Sequence, residues 1–143
     1  MADIEPARES DPGAIRLQLL DLVGGFLRTQ AMATVASLGV ADIVESAPLP
    51  IEQIAARVGA NASALHRVMR LLAMDDVFSE VRPGAFAATE LSQRLRDDTP
   101  HSPRYLAMLH GGPCYQAAGR MVECVRTGEP AAEASLANRS SST

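Results

Sequence analysis

The most regular spacing of apolar positions along the chain lies in residues 50–89. Its first part repeats apolar residues on one face of a helix, and Gly59 comes directly after the last of them, where a left-handed residue commonly ends a helix. A second stripe at the same spacing predicts a longer helix over residues 63–74, with Asn61 or Ser63 as its N-cap. The two stripes consist of Ile51, Ile54, Ala55 and Val58, and of Leu65, Val68, Met69, Leu72 and Ala73.

Two short apolar runs follow the second helix and are typical of a β-hairpin. They flank Pro83-Gly84, a dipeptide that strongly favours a turn. Thr89 is then placed to cap a further helix over residues 90–96. Helix, turn, helix and a two-stranded wing, in this order, predict a winged helix-turn-helix at about residues 50–89. The runs of the wing contain Val77, Phe78 and Val81 before the turn, and Phe86 and Ala88 after it.

The segment before this element, residues 13–29, is apolar on nearly all sides of a predicted helix. Such a helix must be buried on most sides, either in the core of the domain or against a partner chain, and the pattern alone favours neither. Gly24 and Gly25 lie inside it and cost about 1 kcal/mol each relative to alanine, a cost that close packing between helices would offset. A second helix over residues 31–38 is predicted to follow, ended by Gly39.

Beyond the wing, residues 103–109 are predicted to form a short helix, and Pro113 is placed at the first turn of another. The predicted fold class is therefore mainly α: a winged helix-turn-helix with a small hairpin and extra helices at both ends. Residues 1–12 are charged and without periodicity, which predicts disorder, and residues 131–143 are expected to be frayed, so that the domain spans residues 13–130. The last helix repeats apolar residues at Tyr115, Ala118, Val122 and Val125.

The composition is that of one globular domain without a strongly basic surface. The 143 residues carry 13 cationic side chains, all arginine, against 17 acidic ones, a net charge of −4. This balance argues against nucleic acid as a partner. No apolar run reaches about 18 residues, so no membrane span is predicted. The polar N-terminus lacks the apolar segment of a signal peptide, and Cys114 and Cys124 are interpreted as free thiols of a cytoplasmic protein.

Catalytic chemistry is not visible in the sequence. It contains no phosphate-binding loop, zinc-protease motif or nucleophile elbow, and its three histidines lack the spacing of metal ligands. We therefore predict no catalytic, cofactor-binding or metal-binding residue. A small DNA-binding transcription regulator is an alternative, because the second helix and the wing would present basic side chains to a groove. These side chains are His66, Arg67, Arg70 and Arg82, a thin set beside Glu52 and Glu80.

Two stretches carry a resemblance to a known family: LGVADIV, and the run PIEQIAARVGANASALHRVMRLLAMDDVFSEVRPGAFAATELSQRLRDD that begins at Pro50. Together they resemble the N-terminal dimerisation domain of S-adenosylmethionine-dependent small-molecule O-methyltransferases, in particular the bacterial group that tailors polyketides. The resemblance covers about residues 15–130. Asp76 stands where the family usually has glycine, and since aspartate tolerates the left-handed region better than most residues, the turn is expected to persist.

The resemblance implies an intertwined homodimer, in which the first helix of one chain packs into the other. The extra helices at both ends would then be dimerisation helices. The resemblance also implies that helices of this domain wall the acceptor pocket in full-length relatives, and for a polyketide-like acceptor the predicted wall residues are Tyr105, Met108 and Leu109. The predicted dimer interface consists of Leu19, Leu22, Val23, Phe26, Tyr115, Val122 and Val125.

The resemblance further implies chemistry that lies outside this sequence. In the family a Rossmann-like domain of on the order of 150 residues follows and holds S-adenosylmethionine (SAM) and the catalytic base, whereas thirteen residues follow Pro130 here. We therefore expect no cofactor in this chain, no methyl transfer by it alone, and a truncated or relic methyltransferase. A regulatory heterodimer with a full-length methyltransferase is a second alternative.

Overall fold

The computed structural model describes residues 11–131, and most of these residues are helical. The predicted mainly α fold with a β-hairpin is confirmed. Disorder is predicted for residues 1–12 and fraying for residues 131–143, and of these segments residues 1–10 and 132–143 lie outside the described residues. At Pro12 the prediction is wrong, because Asp11 caps α1 and the helix begins at Pro12. The helices are α1 (Pro12–Val23), α2 (Gly25–Leu38), α3 (Val40–Ile43), α4 (Ile51–Val58), α5 (Ala62–Met74), α6 (Glu90–Arg94), α7 (Arg104–Gly111), α8 (Pro113–Ala118) and α9 (Met121–Thr127). The strands are β1 (Leu49–Pro50), β2 (Phe78–Arg82) and β3 (Ala85–Ala88), in one antiparallel sheet of order β1-β3-β2.

Helices α4 and α5 form as the apolar pattern predicts. Gly59 ends α4 in the left-handed region at φ 71°, and the Asn61 side chain caps α5 by accepting a hydrogen bond from the backbone N–H of Ala64 at 2.9 Å. The apolar stripes of both helices face the core, where Ile54 and Met69 are completely buried. The core of the winged element is therefore built between these two helices and the sheet.

Two local predictions around the wing are confirmed. Asp76 adopts the left-handed conformation with φ 56°, so the turn before β2 persists without glycine. Thr89 caps α6, since its hydroxyl accepts from the N–H of Ser92 at 3.3 Å, and the same hydroxyl donates to the Val77 carbonyl at 2.7 Å. The cap of α6 is thereby tied to the residue that precedes the hairpin.

The sheet contains a strand that the sequence does not indicate. With two prolines in four residues, the sequence of residues 47–50 is typical of a stiff connector, but Leu49 and Pro50 pair with β3 as the edge strand β1. An edge strand tolerates proline, which has no N–H to donate. The N–H of Ile51, next to the proline, donates to the carbonyl of Gly84 at 2.8 Å and closes the sheet onto the tip of the wing.

The helices at both ends are divided differently from the prediction. Residues 13–29 do not form one helix: α1 ends at Val23, and α2 begins at Gly25 and includes the residues predicted to form a separate helix. Gly24 keeps right-handed backbone angles (φ −75°, ψ −4°), so the chain bends there without reversing. The last predicted helix is likewise divided, between α8 and α9, after Gly119. In both places the apolar periodicity continues across a glycine, which is why the pattern suggests one helix.

Helices α2 and α7 pack antiparallel. Nε of Arg104, at the start of α7, donates to the carbonyl of Ala36 near the end of α2 at 2.9 Å. At the opposite end, Nε2 of Gln30 in α2 donates to the carbonyl of Gly111, the last residue of α7, at 2.8 Å. Because α1 precedes α2 and α8 follows α7, both terminal helical segments leave this helix pair at the same end.

Arg104 also ties neighbouring elements to this pair. Its Nη1 atom lies 3.1 Å from Oδ2 of Asp42 in α3 and 3.5 Å from Oδ1 of Asp97 in the loop after α6. The other carboxylate oxygen of Asp42 accepts the backbone N–H of Asp97 at 2.9 Å. The planar guanidinium can serve a carbonyl and carboxylates at once, so it sets the position of α7 against α2 and α3.

Candidate functional site

Two terminal segments expose most of their apolar side chains, and we name them the N-terminal arm (residues 12–27) and the C-terminal arm (residues 113–127). All the predicted interface residues lie on these arms, and their exposed fractions run from 38% for Tyr115 to 79% for Val125. Large apolar side chains exposed together commonly mark an interaction surface. The other predicted interface residues are Leu19, Leu22, Val23, Phe26 and Val122.

Both arms are attached to the rest of the domain by few contacts. The first arm packs mainly against the remainder of α2, and the second joins the domain through α7. None of the residues in α1, α8 or α9 is buried. Within residues 11–131, therefore, the apolar surface of the arms is not part of the core.

The arms expose further apolar residues that the predicted interface leaves out. These residues lie on other sides of the same helices, and the signal for them is that the first helix is apolar nearly all round rather than along one stripe. They are Leu17, Leu20 and Leu27 in the N-terminal arm and Met121 in the C-terminal arm. Ile15 is exposed as well and lies about one helical turn before Leu19.

Two of the residues predicted as DNA contacts, His66 and Arg70, contact the carboxylate of Glu80 on the wing. Oε1 of Glu80 accepts from Nε2 of His66 and from the N–H of Gly84, both at 2.9 Å, and Oε2 lies 3.4 Å from Nε of Arg70. Because a carboxylate can only accept, Nε2 of His66 must be the donor. The backbone N–H of Gly84, followed by His66, lowers the pKa of Glu80 from its ordinary value.

This geometry gives the DNA-binding alternative no support. Two of the four candidate cations, His66 and Arg70, are already engaged by Glu80. Arg67 and Arg82 are exposed, and Arg82 lies beside the cluster. A DNA phosphate that approached the cluster would meet the negative charge of the carboxylate. The cluster is therefore interpreted as a set of ion pairs and hydrogen bonds that hold α5 against the wing.

Glu80→Gln is expected to lower the melting temperature (Tm) near neutral pH and to have little effect in acid. Glutamine keeps an oxygen for the N–H of Gly84 but loses the charge that faces His66 and Arg70. Because the folded-state pKa of Glu80 lies below its ordinary value, its stabilising effect is present above about pH 4.5 and is lost as the pH falls through the lowered pKa.

Thermal unfolding followed by circular dichroism between about pH 7 and about pH 2 measures this difference. Glu45→Gln is the matched control, because Glu45 is exposed and its side chain forms no ion pair within residues 11–131. If Glu80→Gln and Glu45→Gln have the same Tm near pH 7, Glu80 does not stabilise the contact between α5 and the wing.

An apolar groove lies between α2 and α7, with a volume of about 400 Å³. Most of its lining is hydrocarbon, and the polar atoms come from few side chains. A groove of this kind suits a flat apolar group better than a charged one. The apolar lining residues are Met32, Leu95, Pro103, Leu106 and Ala107, and the polar ones are Arg28, Thr29 and His110.

The three predicted acceptor-wall residues are distributed around α7 instead of being gathered at this groove. Met108 lines a second cavity, on another side of the α2–α7 contact. The hydroxyl of Tyr105 donates to Oδ1 of Asp97 at 3.1 Å, and Leu109 is about half exposed. The groove is lined instead by the face of α7 that carries Leu106, a face that the helical spacing of positions 103, 106, 107 and 110 could have indicated.

Two further kinds of site are absent from the part of the chain that the structure describes. Residues 11–131 contain no group of three or more histidine, cysteine, aspartate or glutamate side chains that could hold a metal ion. In the same residues, no helix has both the length and the apolar character needed to cross a membrane.

A winged helix-turn-helix flanked by two exposed apolar arms defines a helical dimerisation module. The chain belongs to the family of the O-methyltransferase dimerisation domain, whose family model matches residues 20–98. The resemblance carried by LGVADIV and the winged element is thus confirmed.

Individual relatives agree with this assignment. Phenazine O-methyltransferase PhzM of Lysobacter antibioticus is 44% identical over 123 residues, which are 85% of this chain and 36% of that protein. The crystal structure of LaPhzM matches with a TM-score of 0.81 at 41% identity and covers 86% of this chain and 37% of that one. Human N-acetylserotonin methyltransferase in complex with SAM matches with a TM-score of 0.74 at 28% identity, covering 85% and 36%.

The chain spans about a third of the length of these relatives. They are SAM-dependent methyltransferases, and this chain corresponds to their dimerisation part. The activity of a relative therefore does not transfer directly to these 143 residues.

Proposed function

We propose that this chain forms a homodimer and serves as the dimerisation part of a SAM-dependent small-molecule methyltransferase. The observation that carries the proposal is that two apolar arms leave the α2–α7 pair at the same end. In a two-fold dimer each chain presents the same surface to the other, so the arms of two chains can interleave. Interleaving would cover the apolar surface that no other element covers within residues 11–131.

The driving force of this dimer is the burial of the exposed arm side chains. Each square ångström of apolar surface removed from water contributes about 25 cal/mol, and every contact occurs twice in a symmetric dimer. Such burial has to offset the loss of translational and rotational freedom on association. The proposed interface consists of Leu19, Leu22, Val23 and Phe26 from one arm and Tyr115, Val122 and Val125 from the other.

In a full-length protein, the groove between α2 and α7 would form part of the acceptor pocket. Its apolar lining suits a flat aromatic or polyketide-like acceptor, and the similarity to a phenazine O-methyltransferase supports an acceptor of this shape. Leu106 is the residue of α7 that we place at the groove. Tyr105, Met108 and Leu109 remain candidates for the adjoining faces of the same helix.

The described residues do not fit the cofactor itself. A nucleoside-containing cofactor is commonly held at the carboxyl ends of parallel strands, beside a glycine-rich turn, whereas the sheet here is short and antiparallel. The groove offers polar atoms only from Arg28, Thr29 and His110. SAM binding and methyl transfer would therefore require a further domain, and this chain alone is proposed to transfer no methyl group.

A full-length methyltransferase is a second partner that the same arms would accept. Such a partner carries its own copy of the dimerisation domain, so a heterodimer would use the surface already described. A cytoplasmic location fits Cys114 and Cys124, which form no disulfide with each other, since a reducing compartment keeps thiols free.

Sedimentation velocity of the 143-residue chain tests the dimerisation proposal. The expected result is a species of twice 15.1 kDa at micromolar concentrations, dissociating on dilution. A chain that remains at 15.1 kDa over the whole concentration range contradicts homodimerisation. If that monomer then forms a complex with an added full-length methyltransferase, the heterodimer becomes the supported function.

A further inference from the structure

The N-terminal arm is joined to the body of the domain by one side-chain network centred on Arg28. Nη2 of Arg28 lies 2.8 Å from Oδ1 of Asp21 in α1, and Nε of Arg28 lies 2.8 Å from Oδ2 of Asp75, the residue that ends α5. Within residues 11–131, Asp21 is the residue of α1 whose side chain hydrogen-bonds outside its own helix. We name Asp21, Arg28 and Asp75 the arm latch.

The arm latch spans the bend of the chain. Asp21 and Arg28 are seven residues apart, about two helical turns, with Gly24 and Gly25 between them. Glycine leaves the backbone unusually free, and at Gly25 a Cβ atom would meet nothing within 4 Å. The ion pairs of Arg28 with Asp21 and Asp75 cross this bend and constrain the angle between α1 and α2.

We propose that Arg28 is a positioning residue that orients the N-terminal arm for dimerisation by holding Asp21 and Asp75 at the same time. The inference rests on the proposed homodimer. An arm fixed before the partner arrives avoids the entropy loss of ordering it during association. The latch would thus strengthen the dimer without itself touching the partner.

The exposure of the three side chains separates this role from a contribution to folding. Arg28 is 40% exposed, Asp21 64% and Asp75 37%, and ion pairs this exposed contribute little to the stability of a fold. Moreover, Asp21 and Asp75 stand at the C-terminal ends of helices, where a negative charge is unfavourable to the helix dipole. Removing either charge should leave the helices intact or slightly stabilised, whereas the latch requires that it weaken the dimer.

The test measures the dimer dissociation constant (Kd) of the 143-residue chain by sedimentation equilibrium for Arg28→Met, Asp21→Asn and Asp75→Asn. Methionine keeps an unbranched apolar stem at the groove that Arg28 also lines. Asp98→Asn is the matched control, because Asp98 is 68% exposed and forms an ion pair with Arg96 at 3.0 Å far from the bend in sequence. Circular dichroism of each variant reports whether its helix content is unchanged.

Arg28→Met is expected to raise Kd about tenfold, since a symmetric dimer loses two latches, each worth an exposed ion-pair network. Each aspartate variant should give part of this increase, and Asp98→Asn should give none. Asp75→Asn should have no further effect once Arg28 is methionine, because residues that act through one network are not additive. Added salt should weaken the wild-type dimer more than the Arg28→Met dimer.

The outcomes distinguish the latch from the proposed function. A wild-type dimer whose Kd is unchanged or lowered by Arg28→Met, at unchanged helix content, overturns the latch and leaves homodimerisation standing. Additive effects of Asp75→Asn and Arg28→Met also overturn it. A wild-type chain that never dimerises overturns homodimerisation, and the latch with it.

Discussion

Phe26→Asp is expected to raise Kd of the homodimer by at least about 100-fold and to leave the chain monomeric at micromolar concentration. Phe26 is 47% exposed in the single chain and lies in the first turn of α2, near the end of the N-terminal arm. Burying a phenylalanine contributes up to about 3 kcal/mol, and a carboxylate in its place would have to be desolvated without a partner. Because a symmetric dimer contains two copies of Phe26 in its interface, both effects occur twice.

The matched control for this variant is Val81→Asp. Val81 is 48% exposed and lies on β2 of the wing, away from both arms, so it receives the same substitution at the same exposure. Sedimentation equilibrium of both variants, with circular dichroism as a check of the fold, measures the difference. A Phe26→Asp chain that dimerises as tightly as Val81→Asp would show that the N-terminal arm is not in the interface.

Gly111→Ala is expected to destabilise the fold by about 3 kcal/mol, at the upper end of the usual cost of overpacking. A Cβ atom on Gly111 would overlap the Cβ atom of Ala33 across the α2–α7 contact. Ala33 is buried, and its Cβ is fixed to the backbone of α2, so the helices would have to separate. This separation would also strain the hydrogen bond from Gln30 to the Gly111 carbonyl.

A second substitution tests whether the contact itself is the cause. Combining Gly111→Ala with Ala33→Gly moves the methyl group from one helix to the other and should restore most of the lost stability. Gly119→Ala is the control, because a Cβ there meets only ordinary contacts, 3.4 Å or more away. Urea unfolding at one fixed protein concentration measures all three. If Gly111→Ala is as stable as Gly119→Ala, the close approach of the two helices is wrong.

The winged element could be predicted because its determinants are local. The apolar stripes around Ile54 and Met69, the glycine at 59 and the caps Asn61 and Thr89 each act within a few residues of themselves. The position of the hairpin follows in the same way from Pro83-Gly84 between apolar runs. These features recur in the structure where the sequence places them.

The errors of the sequence-based prediction arise where a local pattern has two structural solutions. An apolar period that continues across Gly24 fits one straight helix or two helices with a bend, and the local spacing does not choose between them. Leu49 and Pro50 read as a connector because a two-residue strand has no period of its own; it becomes a strand when β3 lies beside it. The acceptor wall of Tyr105, Met108 and Leu109 stays a prediction, and the sequence spacing alone does not say which face of α7 meets α2.

The sequence by itself determined which residues of this protein are apolar, where most helices and the wing form, and that the first helix is apolar on nearly all sides. The tertiary structure alone decided what those residues meet. It placed both arms at one end of an antiparallel helix pair, and it set Glu80 between His66 and Arg70 and Arg28 between Asp21 and Asp75. The physical reason is that helix and turn preferences act over a few residues, whereas Arg28 and Asp75 are 47 positions apart and meet only after the chain has folded.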